Sequence, residues 1–411
     1  MFCGGFVRRL AHGAQPTRFA PLAAATARTP NSKASESDTN SFERAVVPPQ
    51  LPASGTPHAS LPRLALLKQP IPIYRKLELT VAWGAVALAL IASLFGFVGP
   101  HLGGADPGLR GPLGYAMEMV ASAWFVGGLL AAVAALGAAA RRLRAPAAIL
   151  GVVALAFLGP DLWARWTSRP SMRETSAPVL RVASVNLAAW NKRDALMRKS
   201  LRELDADVLV LSEYTHFWAG RLDDWFPNDY PHRILAAPVP VPGLALDGQR
   251  QAVWSRIEPS GPAEELKFGG FPVQVRVPVY FEGRELALYG IHSRVPHPRY
   301  AYDGAWRHRR KILNWMRAEE LPAILAGDFN SPMRSAYMQR VRDLGFTSAS
   351  DAVHGRSLDT WPMRPPRSSL LHIAIDHILS SEELAATHYQ AGPPTRSDHK
   401  PILAVFVWES V

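Results

Sequence analysis

Polar side chains that could do chemistry follow a strand-like apolar run at Ile324–Pro332, "ILAGDFNSP". Asp328 and Asn330 stand two residues apart there, and residues two apart in extended chain point to the same face. Both would therefore enter one pocket, while Phe329 would point away into the core. Glycine, aspartate and asparagine also favour turns, so a plain turn explains the stretch equally well.

Other apolar runs also end in carboxylates, amides and imidazoles. These groups are Asn186, Glu213, His292, the pair Asp376–His377 and the pair Asp398–His399. A polar strand end is commonly just solvated, but strand ends are also where loops gather functional groups over a rigid scaffold. Oxygen ligands suit Mg²⁺, and a histidine oriented by an aspartate can act as a general base. Together the groups favour metal-assisted hydrolysis of a phosphate ester.

The elements that must position these groups begin near residue 178. The segment 271–293 alternates apolar and polar residues on both sides of Glu282–Gly283, which predicts a hairpin. Further strands are predicted at 179–187, 207–214, 321–330, 370–381 and 401–408, and helices at 194–206 and 302–320. Hairpins mixed with strand–helix units predict an α/β fold, a four-layered α/β sandwich of two mixed β-sheets flanked by helices. We expect this domain to cover residues 178–411.

The N-terminal part of the chain differs in amino-acid composition and in hydrophobic pattern. Residues 1–70 are rich in Ala, Pro, Ser and Thr without a hydrophobic period, and we predict a disordered tail. Residues 71–168 contain three apolar runs, at about 79–100, 119–140 and 145–163. Since a spanning helix needs about 20 apolar residues, we predict a transmembrane region with three helices. A buried helical hairpin of a soluble domain is the alternative.

Basic residues in the short loops predict the orientation of these helices. Arg141, Arg142 and Arg144 lie between the second and third runs, whereas Arg110 stands alone between the first and second. The arginine-rich loop is therefore assigned to the cytoplasm, and the domain after the third run to the extracytoplasmic side. This describes a multi-pass protein of a bacterial inner membrane. Basic residues after the third run oppose the assignment.

The charge distribution excludes one class of function. The formal net charge is +11, but residues 1–76 carry +7 of it and residues 170–411 only +2. The C-terminal part is therefore not a broadly basic nucleic-acid binder. The single cysteine, Cys3, also excludes an intramolecular disulfide and a cysteine-based zinc site.

Short motifs occur in a particular order along the C-terminal part: "VNL", "LSEY", "IHS", "GDFN", "IDHIL" and "SDHKP". In this order they resemble the endonuclease/exonuclease/phosphatase superfamily, and the resemblance covers about residues 178–409. The most specific pieces are "GDFN" (Gly327–Asn330) and "SDHKP" (Ser397–Pro401). The arrangement of three predicted N-terminal helices followed by this domain is similar to that of a group of bacterial membrane proteins of that superfamily.

The resemblance implies a divalent metal site. Glu213 would be the main ligand of Mg²⁺, or of Mn²⁺ in its place. Asn186 and Asp398 would lie close to the same ion.

The resemblance also implies catalytic roles. Asp328 would hold the attacking water, and Asn330 would contact the phosphate. His399 would be the base or the phosphate stabiliser, oriented by Asp376. His292 would lie on the opposite side of the phosphate, near the leaving oxygen.

The sequence departs from the family pattern in one strand. The segment "DGQRQAVWSR" carries Arg250 and Gln251 where family members have a glycine-rich apolar strand. This leaves the substrate contacts open, but not the metal site. In the loop after "IHS", His297 could contact substrate, although a solvated loop residue is the simpler interpretation.

We expect a membrane-anchored, magnesium-dependent phosphoesterase that hydrolyses phosphodiester or phosphomonoester bonds by metal-assisted attack of water. A nearly neutral domain beside a bilayer favours a lipid headgroup or a small phosphoester over long duplex DNA. Two alternatives stay open: an extracytoplasmic endonuclease or exonuclease acting on nucleic acid, and a catalytically inactive phosphate-binding module. Beyond the phosphoester and the lipid bilayer, the sequence indicates no protein partner.

Overall fold

A computed structural model describes residues 72–98, 111–167, 176–240, 248–270, 272–362 and 372–409. The predicted disordered tail, residues 1–70, lies outside these ranges. The helices are α1 (Pro72–Val98), α2 (Gly111–Ser122), α3 (Trp124–Ala140), α4 (Arg144–Thr167), α5 (Asp194–Leu204), α6 (His216–Trp225), α7 (Arg299–Arg317), α8 (Ala336–Asp343) and α9 (Ala349–His354). The strands are β1 (Leu180–Asn186), β2 (Val208–Tyr214), β3 (His232–Leu235), β4 (Arg250–Ser255), β5 (Glu264–Leu266), β6 (Gln274–Phe281), β7 (Arg284–His292), β8 (Ala323–Asp328), β9 (Thr347–Ser348), β10 (Asp376–Ser380), β11 (Leu384–Ala391) and β12 (Ile402–Trp408).

Two mixed sheets of six strands each form the centre of the C-terminal region. The first has the strand order β11-β12-β1-β2-β4-β3, and the second has the order β5-β6-β7-β8-β10-β9. In each sheet one central pair is parallel, β1 with β2 and β7 with β8, while the neighbouring strands run antiparallel. The predicted hairpin is β6–β7, and both of its turn residues, Glu282 and Gly283, have positive φ. Such a turn matches the twist of the two strands.

Apolar side chains fill the space between the two sheets and the space under the helices. The inner faces of the sheets share one core, which includes Val182, Val210, Val277, Leu288 and Ile324. On the outer faces, α5 and α6 cover the first sheet, and α7 and α8 cover the second. This confirms the predicted four-layered α/β sandwich.

The helices α1, α3 and α4 pack on one another through small and aromatic side chains. Trp124, Ala131 and Phe157 are buried among them. Large apolar side chains point outward instead, with Leu88 exposed by 70% and Leu155 by 72%. Exposed apolar surface of this kind is typical of helices that face lipid.

Two of the described helices are long and apolar enough to cross a membrane, at Ile73–Phe97 and Arg144–Ala164. The predicted helix at 119–140 is not one straight helix. The chain breaks at Ala123, where α2 and α3 meet at an angle of 76°. The described residues therefore contain two spans of sufficient length and apolarity, or three if the bent pair is counted as one.

Candidate active site

The predicted site residues lie at the ends of the central strands of both sheets. Asn186 ends β1, and Glu213 stands near the end of the parallel neighbour β2. In the second sheet, His292 at the end of β7 is paired in register with Asp328 at the end of β8. Asp376 begins the antiparallel strand β10 directly opposite Asp328. Because the two sheets pack face to face, these ends meet at one edge of the sandwich.

The amide of Asn186 joins the two sheets at this edge. Its Nδ2 donates to Glu213 Oε1 at 3.2 Å and to Asp328 Oδ2 at 3.0 Å. Glu213 Oε2 also accepts the backbone N–H of Ala189 at 2.7 Å. Glu213 has a φ of 56°, a left-handed conformation that is strained for this residue type. Backbone strain at a strand end is a feature that functional sites commonly carry.

His399 and Asp376 form a buried pair. His399 Nδ1 lies 2.8 Å from Asp376 Oδ2, and His399 Nε2 lies 3.8 Å from Asp328 Oδ2. The loop before β12 holds the imidazole in place, since Ser397 Oγ accepts the N–H of His399 and donates to the carbonyl of Asn186. The structure thus brings the predicted orienting acid and imidazole together.

Burial and neighbouring charges shift the proton affinities of these groups. Burial alone would lower the pKa of His399, but the carboxylates of Asp376 and Asp328 outweigh it and raise the pKa to about 10. Burial, followed by the charge of Asp376, raises the pKa of Asp328 to about 7. Burial lowers the pKa of His292. At neutral pH the site therefore holds a charged His399 and a neutral His292.

The stretch after β8 is a turn that links Asn330 to Asp328 and to the loop after β7. The strand ends at Asp328, and Asn330 adopts a left-handed conformation with a φ of 49°. Asp328 Oδ1 accepts the N–H of Asn330 at 2.8 Å, and Asn330 Nδ2 donates to the carbonyl of Ser293 at 2.9 Å. Phe329 is fully buried in the core, as predicted. The burial of Phe329 agrees with the predicted alternation, whereas the backbone at Asn330 is left-handed rather than extended.

Gly327 is required where β8 passes β7. Its φ is 148°, and a Cβ atom at this position would lie 1.8 Å from the carbonyl oxygen of Ile291. Any side chain would push the strands apart just before Asp328, because the clash is with backbone rather than with a flexible side chain. The glycine of the "GDFN" motif is thus explained by packing.

His292 is held by residues that the sequence did not single out. Gln274 on β6 accepts the backbone N–H of His292 at 2.5 Å and donates to its carbonyl at 3.0 Å. The same amide lies 3.4 Å from Nε2 of buried His308, whose pKa burial lowers to about 3. His292 Nε2 lies 3.9 Å from Asp328 Oδ2. Only the position of Gln274 on the adjacent hairpin strand could have indicated this role.

Two predicted residues have partners other than the expected ones. Asp398 Oδ2 accepts the indole N–H of Trp361 at 3.4 Å, and no hydrogen bond joins Asp398 to Glu213 or Asn186 among the described residues. His297 lies 2.7 Å from the hydroxyl of Tyr115 on α2. Its imidazole is therefore held at the contact with the N-terminal helices.

The donor set fits a hard divalent cation. Side-chain donor atoms of Asp328, Asp376 and His399 lie within 4.8 Å of one another, and the carboxylates of Asp328 and Asp376 are the groups among them that a hard cation prefers. The buried Oδ1 of Asp376 has no hydrogen-bond partner within the described part of the chain, and a buried polar atom without a partner is costly. Glu213 adds a further carboxylate through Asn186. Oxygen-rich sites of this kind suit Mg²⁺ or Mn²⁺.

Comparison with known proteins agrees with this fold. A family model described as Endonuclease/Exonuclease/phosphatase family matches residues 182–399, which is more than half of the chain. A search of curated proteins found no match.

Several solved structures are similar in fold. A family protein from Leptotrichia buccalis is 15% identical with a TM-score of 0.44, covering 56% of this chain and all of that chain. One from Bacteroides thetaiotaomicron is 19% identical with a TM-score of 0.43, covering 57% of this chain and 97% of that chain. The human Nocturnin catalytic domain with bound sulfate is 18% identical with a TM-score of 0.43, covering 56% of this chain and 94% of that chain.

Proposed function

The chain belongs to the endonuclease/exonuclease/phosphatase family, whose members are metal-dependent hydrolases of phosphate esters, and we propose that it is a membrane-anchored, magnesium-dependent phosphoesterase. The observation that carries the proposal is the convergence of carboxylates, an amide and an imidazole at one edge of the sandwich: Asn186, Glu213, Asp328, Asp376 and His399. The substrate that we favour is a lipid headgroup or a small phosphoester.

We assign Glu213 as the main Mg²⁺ ligand, with Asn186 and Asp398 beside the same ion. The bound ion would supply positive charge against the phosphate oxygens during hydrolysis. The carboxylates at the site favour this assignment because they need a cation to balance their charge after burial.

The side chains of the chain itself divide the remaining work. Asp328, whose pKa lies near neutrality, orients the attacking water and accepts its proton. His399, kept charged by Asp376 and Asp328, donates from Nε2 to a phosphate oxygen and stabilises developing negative charge. Its raised pKa favours this role over that of a base. Neutral His292 lies near the leaving oxygen, and the second N–H of the Asn330 amide contacts the phosphate.

The test is turnover by the full-length chain in detergent micelles. The panel contains DNA, RNA, phospholipids and inositol phosphates, each with Mg²⁺ and with excess chelator. We expect release of phosphate or of a phosphorylated headgroup from at least one non-nucleic-acid substrate, abolished by the chelator. Cleavage of nucleic acid alone would support the nuclease alternative, and turnover of nothing on the panel would support the inactive phosphate-binding module.

We also propose that the catalytic domain lies outside the cytoplasm, in a chain that crosses the membrane three times. The contact between Gly111 at the start of α2 and Asp303 on α7 supports this orientation. It requires the segment after α1 and the catalytic domain to be on one side of the membrane. The loop with Arg141 and Arg142 then lies on the other side, as positive charges in cytoplasmic loops do.

Protease accessibility in intact spheroplasts tests the orientation. We expect the catalytic domain to be digested without lysis, while a cytoplasmic marker protein stays intact. A domain that is protected in intact spheroplasts and digested only after lysis would reverse the assignment.

A further inference from the structure

Helix α2 is built into the catalytic domain. Met117 is buried in the core layer between the second sheet and its helices. Trp306 and Tyr337 belong to the same layer. The N-terminus of α2 is tied to α7, since Gly111 donates its N–H to Asp303 Oδ1 at 2.8 Å. Tyr115 packs edge-on against Tyr302 of α7. This helix therefore makes core contacts that a membrane helix would not supply.

At the centre of this contact is a buried ion pair between α2 and α7. Arg309 Nη1 donates to Glu118 Oε1 at 3.0 Å, and the two side chains are exposed by only 0% and 2%. Glu118 is the one carboxylate within ion-pair distance of Arg309 in the described ranges. The guanidinium also lies over the ring of Tyr337. A buried arginine is tolerated only when its charge is offset, so Glu118 is required where it stands.

Both members of the pair also hold the turn that follows Asp328. Arg309 Nη2 donates to the carbonyl of Asn330 at 2.7 Å. The hydroxyl of Ser331 donates to Glu118 Oε1 at 2.5 Å. Asn330 has a left-handed backbone, and such conformations persist only when the surroundings fix them. Arg309 provides this fixation from the α7 layer of the sandwich, and Glu118 provides it from α2 in the N-terminal region.

We propose that Glu118 is a positioning residue of the active site, which acts through Arg309 and Ser331 to hold Asn330 beside Asp328. The proposal rests on the phosphoesterase function in that it assigns Asn330 and Asp328 to the reaction. The proposal gives a part in catalysis to Glu118, which lies in the region 71–168 that the sequence predicts to be transmembrane. The competing explanation is that the pair only attaches α2 to the domain.

The experiment uses the full-length chain in lipid nanodiscs, with bis(p-nitrophenyl) phosphate as the probe substrate and Mg²⁺. The test variants are Glu118→Gln and the double variant Glu118→Leu/Arg309→Met. The matched control is Glu78→Gln, which removes a carboxylate that pairs with Arg141 at the exposed side of the N-terminal helices. Three quantities are measured: kcat and KM, the melting temperature, and hydrogen–deuterium exchange of the peptide that covers residues 328–335.

We expect Glu118→Gln to lower kcat by about 10- to 100-fold, the range typical of residues that support catalytic groups from behind, with a much smaller change in KM. Exchange at residues 328–335 should rise, while exchange in β11 and β12 stays unchanged. The double variant should regain the melting temperature, because an apolar pair can replace a buried ion pair. It should not regain kcat, because it lacks both the Arg309 bond to the carbonyl of Asn330 and the Glu118 bond to Ser331. Glu78→Gln should match the parent chain.

Unchanged kcat and unchanged exchange in Glu118→Gln would overturn the proposal. So would a loss of kcat that the double variant restores together with the melting temperature, because the pair would then serve attachment alone. If the parent chain does not hydrolyse the probe or any phosphoester of the panel, the proposed function fails. The exchange measurement still decides whether Glu118 holds the turn.

Discussion

The catalytic domain and the N-terminal helices differ in which side chains they bury. In the catalytic domain, ionisable groups such as Asp328, Asp376 and His399 are almost fully buried. In the helices, large apolar side chains such as Leu130 and Leu155 are exposed. Buried acids are stable when a cation offsets their charge, and exposed leucines are stable when lipid covers them. Each region thus indicates the environment that it requires.

Helix α2 follows the pattern of the catalytic domain although its sequence continues into α3. Its carboxylate, Glu118, is buried and paired with Arg309, and its Met117 lies in a core layer of the sandwich. The change from one pattern to the other occurs at Ala123, where the chain bends. The boundaries of the apolar runs in the sequence therefore do not show which residues pack into the catalytic domain.

The largest effect is expected from removing the acid that we propose as the main metal ligand. Glu213→Gln should abolish turnover at ordinary Mg²⁺ concentrations, because the change removes the main anionic ligand. Turnover as a function of Mg²⁺ concentration measures it, with Glu203→Gln on the exposed face of α5 as the matched control. Near-normal turnover by Glu213→Gln would rule out its role as the main ligand.

The His399–Asp376 pair should give the next largest effect. His399→Ala should lower kcat/KM by about 10²- to 10³-fold, the scale for one donor that stabilises developing charge, and Asp376→Asn should cost less because the imidazole remains. The double variant should be scarcely worse than His399→Ala, since the acid then has nothing to orient. Measured kcat/KM values for the three variants decide this. Losses that multiply would show that the two residues act independently.

The N-terminal helices are tested by placing a charge on the exposed face of α4. Leu155→Arg should weaken membrane integration by about 3 kcal/mol, the scale for an arginine at the centre of a spanning helix. The fraction of chain that resists alkaline extraction from membranes measures it, with Leu155→Ala as the control. If the arginine variant stays integrated as well as the alanine variant, this face of α4 does not meet the lipid core.

The smallest effect is expected from a polar group of the catalytic domain that lies away from the site. His354 Nε2 lies 2.9 Å from the carbonyl of Tyr389. His354→Ala should lower the free energy of unfolding by about 1 kcal/mol, the value of one hydrogen bond, and should leave kcat unchanged. Thermal unfolding together with turnover measures both. A large loss of kcat would extend the functional site beyond the strand ends.

The sequence was sufficient to predict the sandwich and the side chains at its strand ends. Periodicity of two in β6 and β7, with Glu282–Gly283 between them, is local information and identifies the hairpin. Asn186 and Asp328 also lie next to strongly apolar runs, so their places at the strand ends follow from the strands. Their proximity to each other depends on how the two sheets pack, and the family resemblance supplied that expectation.

Long-range partners could not be predicted in the same way. Glu118 and Arg309 are 191 residues apart, and neither lies in a motif that points to the other. No proline near Ala123 indicates the bend in the sequence. The direction of α2 is fixed instead by its contacts with the core of the catalytic domain. In the sequence, Gln274 is an ordinary polar residue at the start of a strand. Its bonds to the backbone of His292 become evident only when β7 is paired with β6. Such roles arise from packing between elements and leave no local pattern.

The pairing of β1 with β12 has a consequence for how the protein is made. β1 follows the N-terminal helices directly, yet its partner on one side is the last strand, with Leu180 opposite Phe406. Asn186 and His399 meet only when that pairing forms. During synthesis the first sheet stays open until β12 is available, so Asn186 and His399 stay apart while the strands between them are being made. The order of the strands thus delays assembly of the candidate active site until β12 has paired with β1.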